Sequence, residues 1–412
     1  MEKTKELFID AFRASLKNER VSWSEPLEDE QWALLFKLAD IHHVLPMIYE
    51  AVYSCPAAGL SGEDILKDAK KQAIGLMMVQ VRKTEAFLKI YKALEQAGIR
   101  PLVVKGIVLR NIYPGPDLRM SSDEDILISP EDFDICDGVF KKNGLLRQDP
   151  QSDPEKKYEI SYRDMSGPVY IELHKYLFPP EQAAYGSWNE YFGHVHDNRT
   201  EIDVERESIF TMAPTDNIFY LICHAFKHFL HGGVGIRQAA DIALFAQRYG
   251  EEIDWDEVLE KCEEIRAGKF VQALFKIGRK HLGLNTDPSD IPDGLFENET
   301  DELPLLSDML DAGVYGESDG DRAYSGVVTL SAVAKKEGKG KIPILKNIFP
   351  PASKLADRYP WLEKHPVLLP VAWADRILKY EKEIEDKGNS DGIRAVKAGK
   401  KRIRLLKFYD VV

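Results

Sequence analysis

Asp123, Asp125 and Glu172 are the residues of this chain best suited by type and spacing to do chemistry. Asp123-Glu124-Asp125 runs straight into Ile126-Leu127-Ile128, an apolar, β-branched stretch with the character of a buried strand. Alternate residues of an extended chain share a face, so Asp123 and Asp125 can converge while Glu124 points away. Glu172 lies inside a second apolar run, Val169-Tyr170-Ile171-Glu172-Leu173-His174, where an unpaired carboxylate is costly to bury. A cation should sit beside it. Hard divalent ions such as Mg²⁺ (or Mn²⁺) prefer oxygen ligands and are held by a few carboxylates together with substrate phosphates. Three carboxylates on neighbouring strands therefore point to metal-assisted phosphoryl or nucleotidyl transfer. The structural alternatives are solvated acids at a strand end for the aspartates, and pairing of Glu172 with Arg163 or Lys175 across a hairpin.

Other residue types would complete such a site. Lys105 and Gly106 follow Val103-Val104 where a strand turns toward a helix, and free N–H groups at a helix N-terminus favour an anion such as triphosphate. Arg119, shortly before the aspartates, could neutralise them or hold phosphate. Ser122, like Ser121, could donate to phosphate or simply end a loop. His174 shares the strand face of Glu172 and could assist the metal or be a satisfied structural histidine. Farther along, Lys227, His228 and Arg237 could reach nucleotide or acceptor. His224, His228 and His231 recur at helical spacing and raise a zinc-hydrolase alternative, although Ala225 stands where a metalloprotease motif needs glutamate.

The elements that must position these groups form an α+β pattern. Periodic apolar residues predict helices in the N-terminal region, including a long one over 65–97 that stops at Gly98. Strands follow over 100–104 and 123–128, with a short helix over 107–112 and a Tyr113-Pro114-Gly115-Pro116 turn between them. Ser129 and Pro130 read as the cap and first turn of a further helix ending near Gly144. Segments 159–162 and 169–173 read as a hairpin. Helical periodicity returns over 217–231, 236–249, 255–265, 270–282 and from 354 onward. Residues 287–305 read as a loop, and 313–341 as the segment most prone to mobility. The expected organisation is a helical region over 1–97, a small mixed-sheet nucleotidyltransferase-like core over 98–205, and a helical domain over 206–412.

Composition narrows the function classes. The 412-residue chain carries a formal net charge of −13, which weighs against a general affinity for long nucleic acid. A basic cluster from Arg394 to Lys407 reads as a solvated helical face. The 4 cysteines, Cys55, Cys136, Cys223 and Cys262, are widely spaced, with neither a zinc ribbon nor a disulfide framework among them. No apolar run is long enough to span a bilayer. The expectation is a cytoplasmic protein with reduced thiols, using intracellular nucleotide and magnesium.

The pattern Lys105-Gly106, Tyr113-Pro114, Arg119, Asp123-x-Asp125-Ile126 and Glu172-Leu173-His174 resembles an uncharacterised bacterial nucleotidyltransferase family within the DNA polymerase β-like superfamily. His224-Ala225-Phe226-Lys227-His228, the stretch from Arg237 to Asp241, Gly313-Val314-Tyr315-Gly316 and the stretch from Phe349-Pro350 to Pro370 extend the resemblance over roughly residues 30–380. It implies a two-metal site in which Asp123 and Asp125 bind both ions, about 4 Å apart, and Glu172 holds the one that activates an acceptor hydroxyl. A nucleoside monophosphate, from ATP or another nucleoside triphosphate, would pass to a hydroxyl-type acceptor on a small molecule or a protein. The superfamily usually carries Gly-Ser or Gly-Gly before the aspartates; Lys105-Gly106 stands here with a longer gap, substituting a point charge for a hydroxyl. A toxin-type enzyme modifying a protein and a non-catalytic nucleotide-binding scaffold are the alternatives, and the intact acidic trio weighs against the scaffold.

Overall fold

The computed structural model describes residues 3–165, 167–285, 290–313, 359, 361–373 and 392–412, together with Thr329, Leu330, Val333, Leu355 and Asp375. Helices α1 (Lys3–Leu16), α2 (Asp29–Ile41) and α3 (Leu45–Val52) lead into α4 (Glu63–Gln96). The 34 residues of α4 span about 50 Å at 1.5 Å per residue. Gly98, at φ +85°, takes the left-handed conformation that ends it.

A mixed five-stranded sheet follows, in the order β1 (Leu102–Val103), β2 (Glu124–Leu127), β5 (Tyr170–His174), β4 (Glu159–Asp164), β3 (Leu145–Arg147). β2 runs parallel to β5, whereas β1–β2, β5–β4 and β4–β3 are antiparallel. Helix α5 (Ile107–Arg110) lies between β1 and β2, and α6 (Phe133–Lys142) between β2 and β3. Strand alternation sorts the side chains cleanly. Val103, Ile126, Ile171 and Leu173 pack with Phe87, Tyr91 and Leu94 of α4 and Phe140 of α6. Phe140 and Tyr162 meet edge to face with centroids 4.7 Å apart, adding about 1 kcal/mol beyond their area burial. Leu102, Val104 and Leu127 belong to the opposite face and join the larger core built with α7 (Pro214–His231), α8 (Ile236–Tyr249), α9 (Trp255–Glu264) and α10 (Gly268–His281). The architecture is α+β, with a helical N-terminal region and a mixed sheet.

Several elements carry too weak a local signal to be expected. The hairpin β6 (Arg199–Val204) and β7 (Glu207–Met212) is one of them. Its turn places Glu205 at φ +56°, where Asn or Gly would ordinarily advertise the bend. β7 lies against β1, with Thr211 Oγ1 donating to the Val103 carbonyl at 2.7 Å. β3 and α11 (Leu303–Ala312) are the others. Ser129 makes no side-chain cap; Pro130–Asp132 forms a 3-10 turn that leads into α6. The C-terminal basic cluster is not wholly solvated either. Arg402 is buried on the C-terminal helix Gly392–Phe408, 2.6 Å from Asp308 and donating to the Phe229 carbonyl. Most of the segment expected to be mobile, and much of the helical stretch expected beyond 354, lie outside the described residues.

Candidate active site

The parallel register of β2 and β5 sets Asp125 opposite Glu172 and Leu127 opposite His174. Asp125, Glu172 and His174 therefore emerge on one face of the sheet, the face turned toward α7. His174 Nε2 lies 3.2 Å from Asp125 Oδ1 and 3.7 Å from Glu172 Oε2. Its Nδ1 lies 3.5 Å from Glu159 Oε2, on the adjacent antiparallel strand. Among the described residues these three form the one group of acidic, His or Cys side chains whose ligand atoms all lie within 4.8 Å of one another. Asp123, half-buried, stands just outside that group but shares a cavity with Asp125.

Two cations balance Asp125. Lys105 Nζ is 3.0 Å from Asp125 Oδ1, the same oxygen that His174 Nε2 contacts. Burial alone would raise the Asp125 pKa, but the Lys105 ammonium and His174 hold it well below the usual carboxylate range. Burial would likewise depress His174, yet its hydrogen bond to Asp125 and the nearby Glu172 carboxylate raise it to about 9. Asp123 is pushed upward by burial and then by the neighbouring charge of Asp125. Asp125 Oδ2 is buried without a hydrogen-bond partner. An orphaned buried carboxylate oxygen and a second carboxylate in register supply oxygen donors that fit a hard divalent cation such as Mg²⁺ or Mn²⁺.

Glu124 occupies the other face, as alternation requires, and is fully buried. Its Oε2 accepts from the Ile107 N–H at 2.7 Å, and its Oε1 lies 3.2 Å from Arg110 Nη2 and 3.8 Å from Lys83 Nζ. Both cations are themselves buried. Gly106, at φ +58°, is required here: a Cβ would stand 1.9 Å from Glu124 Oε2. Glu124 thus clamps the Lys105-Gly106 turn against the strand that carries the aspartates.

The wall facing the acids comes from α7 and α8. His224 Nε2 accepts from Lys105 Nζ at 3.0 Å and lies 3.3 Å from His228 Nε2. Burial, then the nearby Lys105 charge, lowers His224 well below its ordinary pKa; burial and Lys227 do the same to His228. Both imidazoles are neutral at pH 7. Lys227 is half-buried, with Nζ 6.0 Å from the Phe178 ring centroid. His231 turns aside to the Tyr185 hydroxyl at 2.6 Å, so the three helical histidines do not converge as a zinc site would need. Two Arg119 donors go to Asp241, both at 2.7 Å, rather than to Asp123 or Asp125, and Tyr113 donates to Asp241 at the same distance. Arg237 Nη1 donates to the Met120 carbonyl at 2.6 Å. Ser122 is exposed; Ser121 makes the local contacts, donating from Oγ to the Asp123 carbonyl and meeting Gln80 and Lys83 through its backbone.

Lys105, Asp123, Asp125, His224 and Arg237 line one cavity of about 40 Å³, the space of a few water molecules. The residues that sequence reasoning missed are Glu124 as a buried anchor with Lys83 and Arg110, Glu159 beside His174, and Asp241 as the partner of Arg119. Only Glu124 carried a local sign, its place between two aspartates.

A family model described as uncharacterised nucleotidyltransferase matches residues 28–283. No curated protein and no solved structure matches the chain.

Proposed function

The chain belongs to the uncharacterised nucleotidyltransferase family, and on that premise we propose that it transfers a nucleoside monophosphate from a nucleoside triphosphate to a hydroxyl-type acceptor, using a divalent metal. The acceptor is a small molecule or a protein. The observation that carries the reading is Asp125 in parallel register with Glu172, its Oδ2 buried and unpartnered. Paired acids on adjacent strands also support kinship with the DNA polymerase β-like superfamily.

Asp125 and Glu172, with Asp123 at the strand mouth, are the residues that would hold Mg²⁺ or Mn²⁺. Bound there, the metal supplies Lewis-acid neutralisation of charge on the reacting phosphate. Lys105 then has a second task. Its ammonium, which contacts Asp125 and His224, lies where it could also donate to phosphate once a metal balances Asp125. Glu172, partly open to solvent, is the carboxylate placed to accept the proton of the attacking hydroxyl. The acceptor oxygen forms a bond to the α-phosphorus, and the bond to pyrophosphate breaks.

Calorimetric titration of the full chain with ATP, GTP, CTP and UTP, with and without Mg²⁺, tests this reading. Magnesium-dependent binding that vanishes in Asp125→Asn supports it. Binding of no nucleotide by the wild type, or binding unaltered in the variant, overturns it.

A further inference from the structure

Across the cavity from the aspartates, α8 presents buried donors that no other described residue accepts from. Arg237 is 5% exposed and Gln238 8%, yet Arg237 Nε and Gln238 Nε2 have no hydrogen-bond partner. Both residues line the cavity that holds Asp123, Asp125 and Lys105. Their opposite ends are anchored. Arg237 Nη1 is bound to the Met120 carbonyl, and Gln238 Oε1 accepts from the Gly235 N–H at 2.9 Å. Tyr113 and Arg119 tie α8 to the loop before β2 through Asp241, so the donors are held in place before any ligand arrives. They sit in the first turn of a 14-residue helix, where the helix dipole also favours an anion.

We infer that Arg237 and Gln238 bind the pyrophosphate end of the nucleoside triphosphate, opposite Asp123 and Asp125. This rests on the nucleotidyltransferase reading above and names the subsite that would receive its leaving group. Arg237 Nε and Gln238 Nε2 are donors only, which suits phosphate oxygens and not a nucleobase edge, where acceptors are needed as well. The cavity's polar lining, with Lys105, Arg237 and Gln238 on its walls, suits a phosphoryl group. The charged lining consists of Lys105, Arg119 and Arg237 against Asp123, Asp125 and Asp241, which is neutral by itself. A divalent ion on the aspartates leaves a surplus of positive charge, matched by a polyphosphate that touches metal and donors together.

The test is titration of the full-length protein with magnesium pyrophosphate and, separately, with the four magnesium nucleoside triphosphates. Gln238→Glu keeps an oxygen for the Gly235 N–H but replaces the free donor with an anion. Arg237→Lys keeps the charge but removes the guanidinium fork, and it carries the test if Gln238→Glu does not fold by thermal unfolding. Pyrophosphate affinity is expected to fall about tenfold or more in each folded variant. Unchanged pyrophosphate affinity, or a wild type that binds a triphosphate but no pyrophosphate, overturns this subsite and leaves the parent reading standing. A wild type that binds neither overturns both.

Discussion

Glu124 and Asp125 are chain neighbours, both fully buried carboxylates, and they make opposite kinds of site. Glu124 faces α4, where a backbone N–H, Arg110 and Lys83 surround it. Asp125 faces α7 with one oxygen shared between Lys105 and His174 and the other without a partner. Saturation of its carboxylate makes the first a clamp: both Glu124 oxygens have fixed counterparts. Incomplete satisfaction, with a second carboxylate in register, makes the second receptive. Burial alone does not separate structural acids from functional ones. The count of partners does.

The sharpest way to break this comparison is to neutralise each side in turn. Under the proposed mechanism, Asp123→Asn and Asp125→Asn each lower metal-dependent turnover about 10³-fold, the scale of several kcal/mol of lost charge stabilisation. Asp123→Asn also unfolds at the same temperature or slightly higher, because it removes the like charge beside Asp125. Single-turnover assays with thermal melts check both, and wild-type turnover in either variant refutes the site.

On the other face, Glu124→Gln is expected to cost about 3–4 kcal/mol of unfolding free energy, since Arg110 and Lys83 would keep buried charge without its counterpart. Denaturant titration measures this. A loss under about 1 kcal/mol would erase the distinction between the two faces.

Next in size is a pH effect on the Asp125 side. His174 rises from 6.5 unfolded to about 9 folded, so its contribution is complete below pH 6.5 and is lost as pH climbs toward 9. In chelator, the protein should lose on the order of 2–3 kcal/mol across that window, and His174→Gln should flatten the profile. Stability that grows toward pH 9 in wild type, with other groups equal in the variant, contradicts the pairing.

Gly106→Ala should cost about 1–3 kcal/mol through its positive φ and the collision with Glu124. Its melting temperature should fall by more than that of an alanine placed at the open, helical Gly138. Smallest of all is the solvent-exposed pair Lys92 and Glu207, 3.1 Å apart. Lys92→Ala should change stability by no more than about 0.5 kcal/mol, which calibrates how little a pair counts when water competes for it.

The residues by themselves determined the periodic elements and the facing of the acids. Strand alternation was enough to put Asp123 and Asp125 apart from Glu124, and Glu172 was recognisable as a carboxylate inside an apolar strand. The long helices α4, α7 and α8 were legible because a 3.6-residue repeat is a local property. The β6–β7 hairpin was not, since its turn uses Glu205 and its strands alternate weakly. Tertiary structure alone decided which groups meet. The β2–β5 register made His174, more than Asp123, the close companion of Asp125 and Glu172. It gave Arg119 to Asp241, 122 positions away, rather than to the aspartates. It also left donors on Arg237 and Gln238 unpartnered across the cavity. Periodicity follows from covalent geometry and can be read along the chain. Partnership, charge balance and orphaned polar atoms arise only when distant surfaces pack and exclude water.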